Sequence, residues 1–211
     1  MLTRLAACFV SFGLLSGAAA GAHGFAQPPH QEEVSVALPI RVFAPHEKDV
    51  RKALEKRRAK NLAAFRAYRK GGVYPHNFFR PGPLNVWIDQ DGHLCAAATM
   101  IAKDGHRELV DATGKTNNQI RLLNVIDGEL MDWMLTSGFT IEEIDRIQVP
   151  GFGQEEWRRE RDWTAEDNRL RGVYAATDAF LVKNAKKGLD KAVKRLMQNP
   201  ELAQKLVDET L

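Results

Sequence analysis

The sequence is poor in cysteine: its 211 residues include only Cys8 and Cys95. Cys8 lies in an N-terminal segment that we expect to be removed, so the mature chain keeps one thiol and forms no internal disulfide. A domain of about 185 residues buries roughly 70% of its unfolded surface and needs no covalent staple. The fold therefore has to rest on a hydrophobic core.

The chain also lacks a strong charge imbalance and internal repeats. The formal net charge is +3, with 44% hydrophobic and 27% charged residues, which is an ordinary globular composition. This composition excludes wholesale disorder and collagen-like repeats, and the net charge does not predict nucleic-acid binding. No heptad or repeat of about 20 to 50 residues recurs, which excludes coiled-coil and solenoid architectures.

The small net charge conceals a strong separation of charge along the chain. Residues 47–71 contain ten Lys/Arg and three Asp/Glu, whereas residues 72–156 contain six and thirteen. Residues 157–211 contain twelve Lys/Arg and nine Asp/Glu. A basic segment is thus followed by an acidic one.

The N-terminus has the pattern of a secretory signal peptide. Arg4 precedes an apolar, small-residue run over residues 5–22, and Ala18, Ala20 and Ala22 supply candidate cleavage sites. We therefore expect residues 1–22 to be removed, leaving no membrane span and a protein in the periplasm or outside the cell.

The remaining chain predicts a mainly α fold with a small β-hairpin. Residues 23–46 hold four prolines and little periodicity, which indicates a linker. Residues 47–150 are expected to form a helical domain with the short hairpin. Residues 151–211 are expected to form a charged helical C-terminal region.

Four local patterns support this assignment. Apolar residues at helical spacing predict a basic helix over 47–70, stopped by a Gly pair. Alternation over 84–89 predicts a strand, turned by Asp91-Gly92. An apolar stripe ending at Gly138 and a capping box over 140–143 predict a helix–Gly–helix unit. Asn199-Pro200 predicts the start of a last helix.

One stretch carries a resemblance. Residues 91–96, Asn117-Asn118, Trp133, residues 137–140 and Glu143 with Ile147-Gln148 together resemble a group of uncharacterised exported bacterial proteins. The resemblance covers about residues 68–149. It implies export and transfers no activity or functional residue.

Two familiar motifs are present only in part. Residues 113–116 mimic the end of a phosphate-binding loop, but Leu109 occupies the position of the required first glycine, so ATP binding is not predicted. Asp89, Asp91 and Gly92 mimic part of a calcium loop, but Trp87 and Ala98 occupy its first and last ligand positions. No cofactor or metal site is predicted.

Cys95 is the strongest candidate for chemistry, and three interpretations stay open. At the start of a helix its thiol would be acidified, and His93 or His106 could serve as a base for a thiol hydrolase or transferase. The same side chains could bind zinc. Alternatively, the three alanines that follow indicate a buried structural thiol.

The basic helix also has three interpretations. Its cations could be solvated, could pair with the acidic segment, or could bind an anionic surface such as lipid headgroups or nucleic acid. The candidate anion-binding residues are Arg51, Lys52, Lys56, Arg57, Arg58 and Lys60.

From these observations we expect an exported, non-catalytic binding or structural protein of the cell envelope or exterior, with an unknown protein partner. The alternatives are the thiol enzyme and the anion-surface binder.

Overall fold

The predicted basic helix is the longest element of the computed structural model, which describes residues 44–79, 84–148 and 162–211. This helix, α1, spans Glu47–Gly71 and ends at Gly72, whose φ of 66° closes a bond from its N–H to the carbonyl of Tyr68. Acidic residues occupy its first turn and basic residues its last turn, which suits the helix dipole. The sequence prediction of this helix is confirmed.

The described residues form eight α-helices and one short 3₁₀ helix over Leu122–Asn124. After α1, the helices are α2 (Ala96–Lys103), α3 (Arg107–Thr116), α4 (Gly128–Thr136), α5 (Ile141–Gln148), α6 (Trp163–Lys183), α7 (Ala185–Leu196) and α8 (Pro200–Thr210). The mainly α prediction is therefore confirmed. None of the helices in these ranges is long and apolar enough to span a bilayer.

Helix α1 connects two hydrophobic clusters. Its C-terminal half contributes Phe65 and Tyr68 to a cluster that includes residues of α2, α4, α5 and α6. Its N-terminal half contributes Val50 and Leu54 to a second cluster built with α7 and α8. Helices from both ends of the chain thus pack on α1.

The helix–Gly–helix unit is confirmed as α4, Gly138 and α5. Gly138 has φ 83°, and a Cβ on it would lie 2.5 Å from the carbonyl oxygen of Leu54, so only glycine fits this turn against α1. The capping box forms as predicted. The N–H of Glu143 donates to Thr140 Oγ1 at 3.2 Å, and the N–H of Thr140 donates to Glu143 Oε2 at 2.9 Å.

The predicted β-hairpin is wrong. The described residues contain no strand, and the segment forms only an isolated antiparallel bridge between Ile88 and Leu94. The chain enters α2 directly after Leu94, with Cys95 as the N-cap, so no second strand can extend the pairing. Two backbone bonds flank the bridge, from Asp89 N to the carbonyl of His93 and from Cys95 N to the carbonyl of Trp87. Asn118 also holds the first segment, since its backbone carbonyl accepts from Trp87 N and its side chain exchanges two bonds with Ile88.

The expected signal peptide lies outside the described residues, as do most of the linker and residues 151–161 of the C-terminal region. The rest of that region is helical, from α6 to α8. The predicted last helix is confirmed, since α8 begins at Pro200 with Asn199 as its N-cap.

Candidate functional site

Cys95 lies in the core rather than on a surface. It is 3% exposed, and its Sγ accepts a bond from Ala98 N at 3.5 Å. Burial raises the pKa of the thiol to about 12, although the N–H groups of Ala98 and Ala97 at the start of α2 act in the opposite direction. The helix terminus therefore has the predicted influence on the thiol pKa, but desolvation outweighs it.

Of the two candidate bases, His93 contacts Asp89 and His106 is exposed to solvent. His93 Nδ1 lies 3.0 Å from Asp89 Oδ2, and its side chain is 40% exposed. His106 is exposed at the N-cap of α3. Among the hydrogen bonds of the described residues, none joins the Cys95 sulfur to either histidine. Cys95, His93 and His106 therefore do not form a hydrogen-bonded catalytic group within the described residues.

Asp89 organises the turn that carries His93. Its carboxylate accepts bonds from the backbone N–H groups of His76, Asp91 and His93, in addition to its contact with the His93 ring. Burial alone would raise the pKa of Asp89, but these donors hold it below its usual value. Asp89, Asp91 and His93 place possible metal-ligand atoms within 4.8 Å of one another. Because Asp89 is already saturated with donors, this geometry describes a turn and assigns no metal.

The candidate anion-binding residues of α1 are mostly paired within the protein. Arg58 is buried and forms two bonds with Glu143, at 2.8 and 2.9 Å, and donates to the carbonyls of Gly138 and Leu181. Arg57 and Lys60 both bind Asp104, whose side chain is fully buried.

Of the other three candidate residues, two have partners within the fold and one has none among the described residues. Arg51 binds Asp190 at 2.8 Å, and Lys56 donates to the carbonyl of Thr210 at 3.1 Å. Lys52 is exposed, and its ammonium makes no ion pair or hydrogen bond with the described residues. Five of the six predicted anion-binding residues thus have partners in the fold. Arg57, Arg58 and Lys60 pair with the acidic segment, as in the second interpretation, whereas the partners of Arg51 and Lys56 lie in the C-terminal region.

A cavity of about 240 Å³ lies where the start of α5 meets the end of α6 and the start of α7. Its inner side is built from the same ion pair that anchors α1. Gly188 of α7 faces the carboxylate of Glu143 so closely that a Cβ would lie 2.6 Å from Oε1. The pair with Arg58 fixes that carboxylate, so the inner side of the cavity is rigid.

Charged groups of opposite sign line the cavity from its two sides. Glu142 stands on α5, and Lys187 and Lys191 stand one turn apart on α7. A hydrogen bond from the Thr140 hydroxyl and the N–H of Glu142 itself lower the pKa of Glu142. Burial opposes this effect, and the positive charges of Lys191 and Arg195 reinforce it. Glu142 is therefore an anion at neutral pH.

The end of α6 completes the cavity with Phe180 and Asn184. The Arg146 guanidinium lies 4.3 Å from the centre of the Phe180 ring, and Asn184 Nδ2 donates to the Phe180 carbonyl at 2.9 Å. These contacts hold both side chains in place.

The sequence analysis did not single out these cavity residues. Two features could have indicated them. Lys187, Lys191 and Lys194 recur at helical spacing on α7. Gly188 interrupts the same amphipathic helix, and a glycine inside a helical pattern usually has a packing reason. The chain matches no protein family, no curated protein and no solved structure.

Proposed function

We propose that the chain is an exported, non-catalytic binding protein and that the cavity between α5, α6 and α7 is its binding site. The observation that carries this proposal is that two lysines, unpaired among the described residues, meet at a concave site, whereas five of the six candidate cations of α1 are paired within the fold. Lys187 and Lys191 line a concave site on a rigid base, and neither ammonium forms an ion pair or hydrogen bond within the described residues. Concave sites with a few convergent polar groups are typical of ligand binding.

The export part of the proposal rests on the sequence. Arg4, the apolar run over residues 5–22 and the resemblance to exported proteins all favour it. Mass spectrometry of the native protein is expected to find an N-terminus between about residues 19 and 27, as for a processed signal peptide. An intact Met1 in a cytoplasmic form would contradict it.

The non-catalytic part is supported by the state of Cys95. With a pKa of about 12 against 9.0 for a free thiol, its thiolate fraction at pH 7 is lower by a factor on the order of a thousand. We expect a thiol reagent to label Cys95 slowly in the folded protein and at the ordinary rate in urea. Fast labelling of the folded protein would favour the thiol enzyme instead.

The binding site can be tested without knowing the ligand. A panel of small molecules is screened by the melting temperature of the mature protein, since a ligand that binds only the folded state raises it. Lys187→Trp places a large side chain at the cavity, and Lys183→Trp is the control, because Lys183 is an exposed lysine at the end of α6 that does not line the cavity.

We expect at least one compound to stabilise the wild type and the control variant but not Lys187→Trp. A panel without any stabilising compound would contradict the proposed site, as would a compound that stabilises all three proteins equally.

A further inference from the structure

We propose that the cavity binds a small anion through a carboxylate or phosphate group held between the ammonium groups of Lys187 and Lys191. The inference rests on the proposed function and specifies the ligand class of the same site.

The charge inside the cavity favours an anion. Four ionisable side chains line it: Glu142, Glu143, Lys187 and Lys191. The Glu143 carboxylate is neutralised by Arg58 through two bonds of 2.8 and 2.9 Å. One negative and two positive groups are left, so a bound anion meets a net positive site.

The spacing of the lysines suits one shared oxyanion. Residues four apart on a helix have their Cβ atoms about 5–6 Å apart, so both long side chains can reach oxygens of the same group. Lys194 of α7 and Lys183, the last residue of α6, are not among the residues that line the cavity, and both add to the positive field around it. A charge-assisted bond is about twice as strong as a neutral one, and it is stronger still where water is partly excluded.

The size of the cavity limits the ligand. A volume of about 240 Å³ lies below the roughly 300 Å³ at which drug-sized sites begin. Inorganic phosphate and short carboxylic acids fit inside, whereas a polymer could place only one group there. The Glu142 carboxylate also lines the cavity, and it repels an anionic ligand unless that ligand carries a hydrogen-bond donor for the carboxylate.

The experiment compares two double variants that each remove two positive charges, one pair inside the cavity and one pair outside it. Lys187→Met with Lys191→Met removes the cavity ammonium groups, and Lys183→Met with Lys194→Met removes two exposed ones outside the cavity. Binding of inorganic phosphate and of citrate is measured by calorimetry at constant ionic strength, with chloride as the balancing anion. This design separates binding from the general stabilisation by excluded salts.

We expect phosphate, citrate or both to bind the wild type. We expect the cavity double variant to bind on the order of 10- to 100-fold more weakly, because it loses both charged donors to the anion, each of them weakened by solvent screening at these exposed positions. The outer double variant should stay within about threefold of the wild type, because it loses only screened charge at a distance. Glu142→Gln should bind phosphate more tightly, because it removes the repelling carboxylate.

Two results would overturn the inference. One is the absence of phosphate and citrate binding, and the other is an equal loss in both double variants, which would indicate a diffuse field. If the panel yields a neutral or cationic compound that Lys187→Trp blocks, the binding site stands and only its assignment to anions is wrong.

Discussion

Two helices of this protein are strongly basic, and they use their charges differently. Helix α1 carries ten Lys/Arg within residues 47–71, and α7 carries five within Ala185–Leu196. In α1, most of the charged side chains turn towards carboxylates or carbonyls of distant elements, and two examples are Arg66 and Arg69, which share Asp178. In α7, Lys187, Lys191 and Lys194 are exposed and have no such partner among the described residues.

The difference shows that basic density alone does not identify an anion-binding helix. Helix α1 lies at the centre of the fold, where carboxylates from α2, α5, α6 and α7 surround it. Helix α7 buries Leu189, Val193 and Leu196 on one side and leaves its lysines on another. What decides the role of a cation is therefore whether the fold brings a carboxylate to it.

The largest expected effect comes from breaking the buried pair of α1. Arg58→Met leaves the Glu143 carboxylate buried without its cation, which should lower the free energy of unfolding by about 3–5 kcal/mol. Arg58→Lys retains the charge but loses the two-pronged geometry, so its loss should be smaller. Urea unfolding measures both, and a loss below about 1 kcal/mol for Arg58→Met would show that α1 does not depend on this pair.

A somewhat smaller effect is expected at the turn that receives Arg58. Gly138→Ala combines a positive φ with a Cβ 2.5 Å from the Leu54 carbonyl oxygen, so we expect a loss of roughly 2–4 kcal/mol. Gly92→Ala is the matched control, because Gly92 has φ 82° but no heavy atom within 4 Å of the added carbon. It should lose only about 1–2 kcal/mol from backbone strain. Equal losses of unfolding free energy for Gly138→Ala and Gly92→Ala would show that the close packing of residue 138 against α1 adds nothing to the cost of the substitution.

The smallest effect is expected for the lysines of α7. Lys187→Met and Lys191→Met should each change the free energy of unfolding by no more than about 0.5 kcal/mol, because neither cation is paired or buried. The same urea titration tests this. A loss above about 1 kcal/mol for either variant would mean that the lysine is structural, and the contrast between α1 and α7 would no longer hold.

The elements that the sequence predicted correctly depend on neighbouring residues. The stop of α1 at Gly72, the capping box of Thr140 and Glu143, and the start of α8 at Pro200 each lie within a few positions of the residues that indicate them. The hairpin failed because alternation over 84–89 does not say whether a partner strand follows. Here α2 begins directly after Leu94 and Cys95, so the pairing stops at a single bridge with two flanking backbone bonds.

The site could be predicted only in part, because its determinants are distant in sequence. Nothing near Cys95 indicates that it is fully covered in a core shared with Tyr68 and Tyr174. Likewise, nothing near Gly188 indicates that it lies against Glu143, more than forty positions earlier. Composition located the basic segments, but the fold determined which of them are neutralised.

Several ion pairs of α1 join residues that are far apart in the sequence, and this separation affects the order in which the protein can fold. Arg66 pairs with Asp178, which lies 112 positions later in the sequence, and Arg51 pairs with Asp190, which lies 139 positions later. Chains are synthesised from the N-terminus, and contacts of high sequence separation form late. A growing chain therefore presents α1 as a basic segment that is neutralised in stages. Asp104 and Glu143 are made first, and the cations that pair with Asp178 and Asp190 stay without their carboxylates until α6 and α7 have been made.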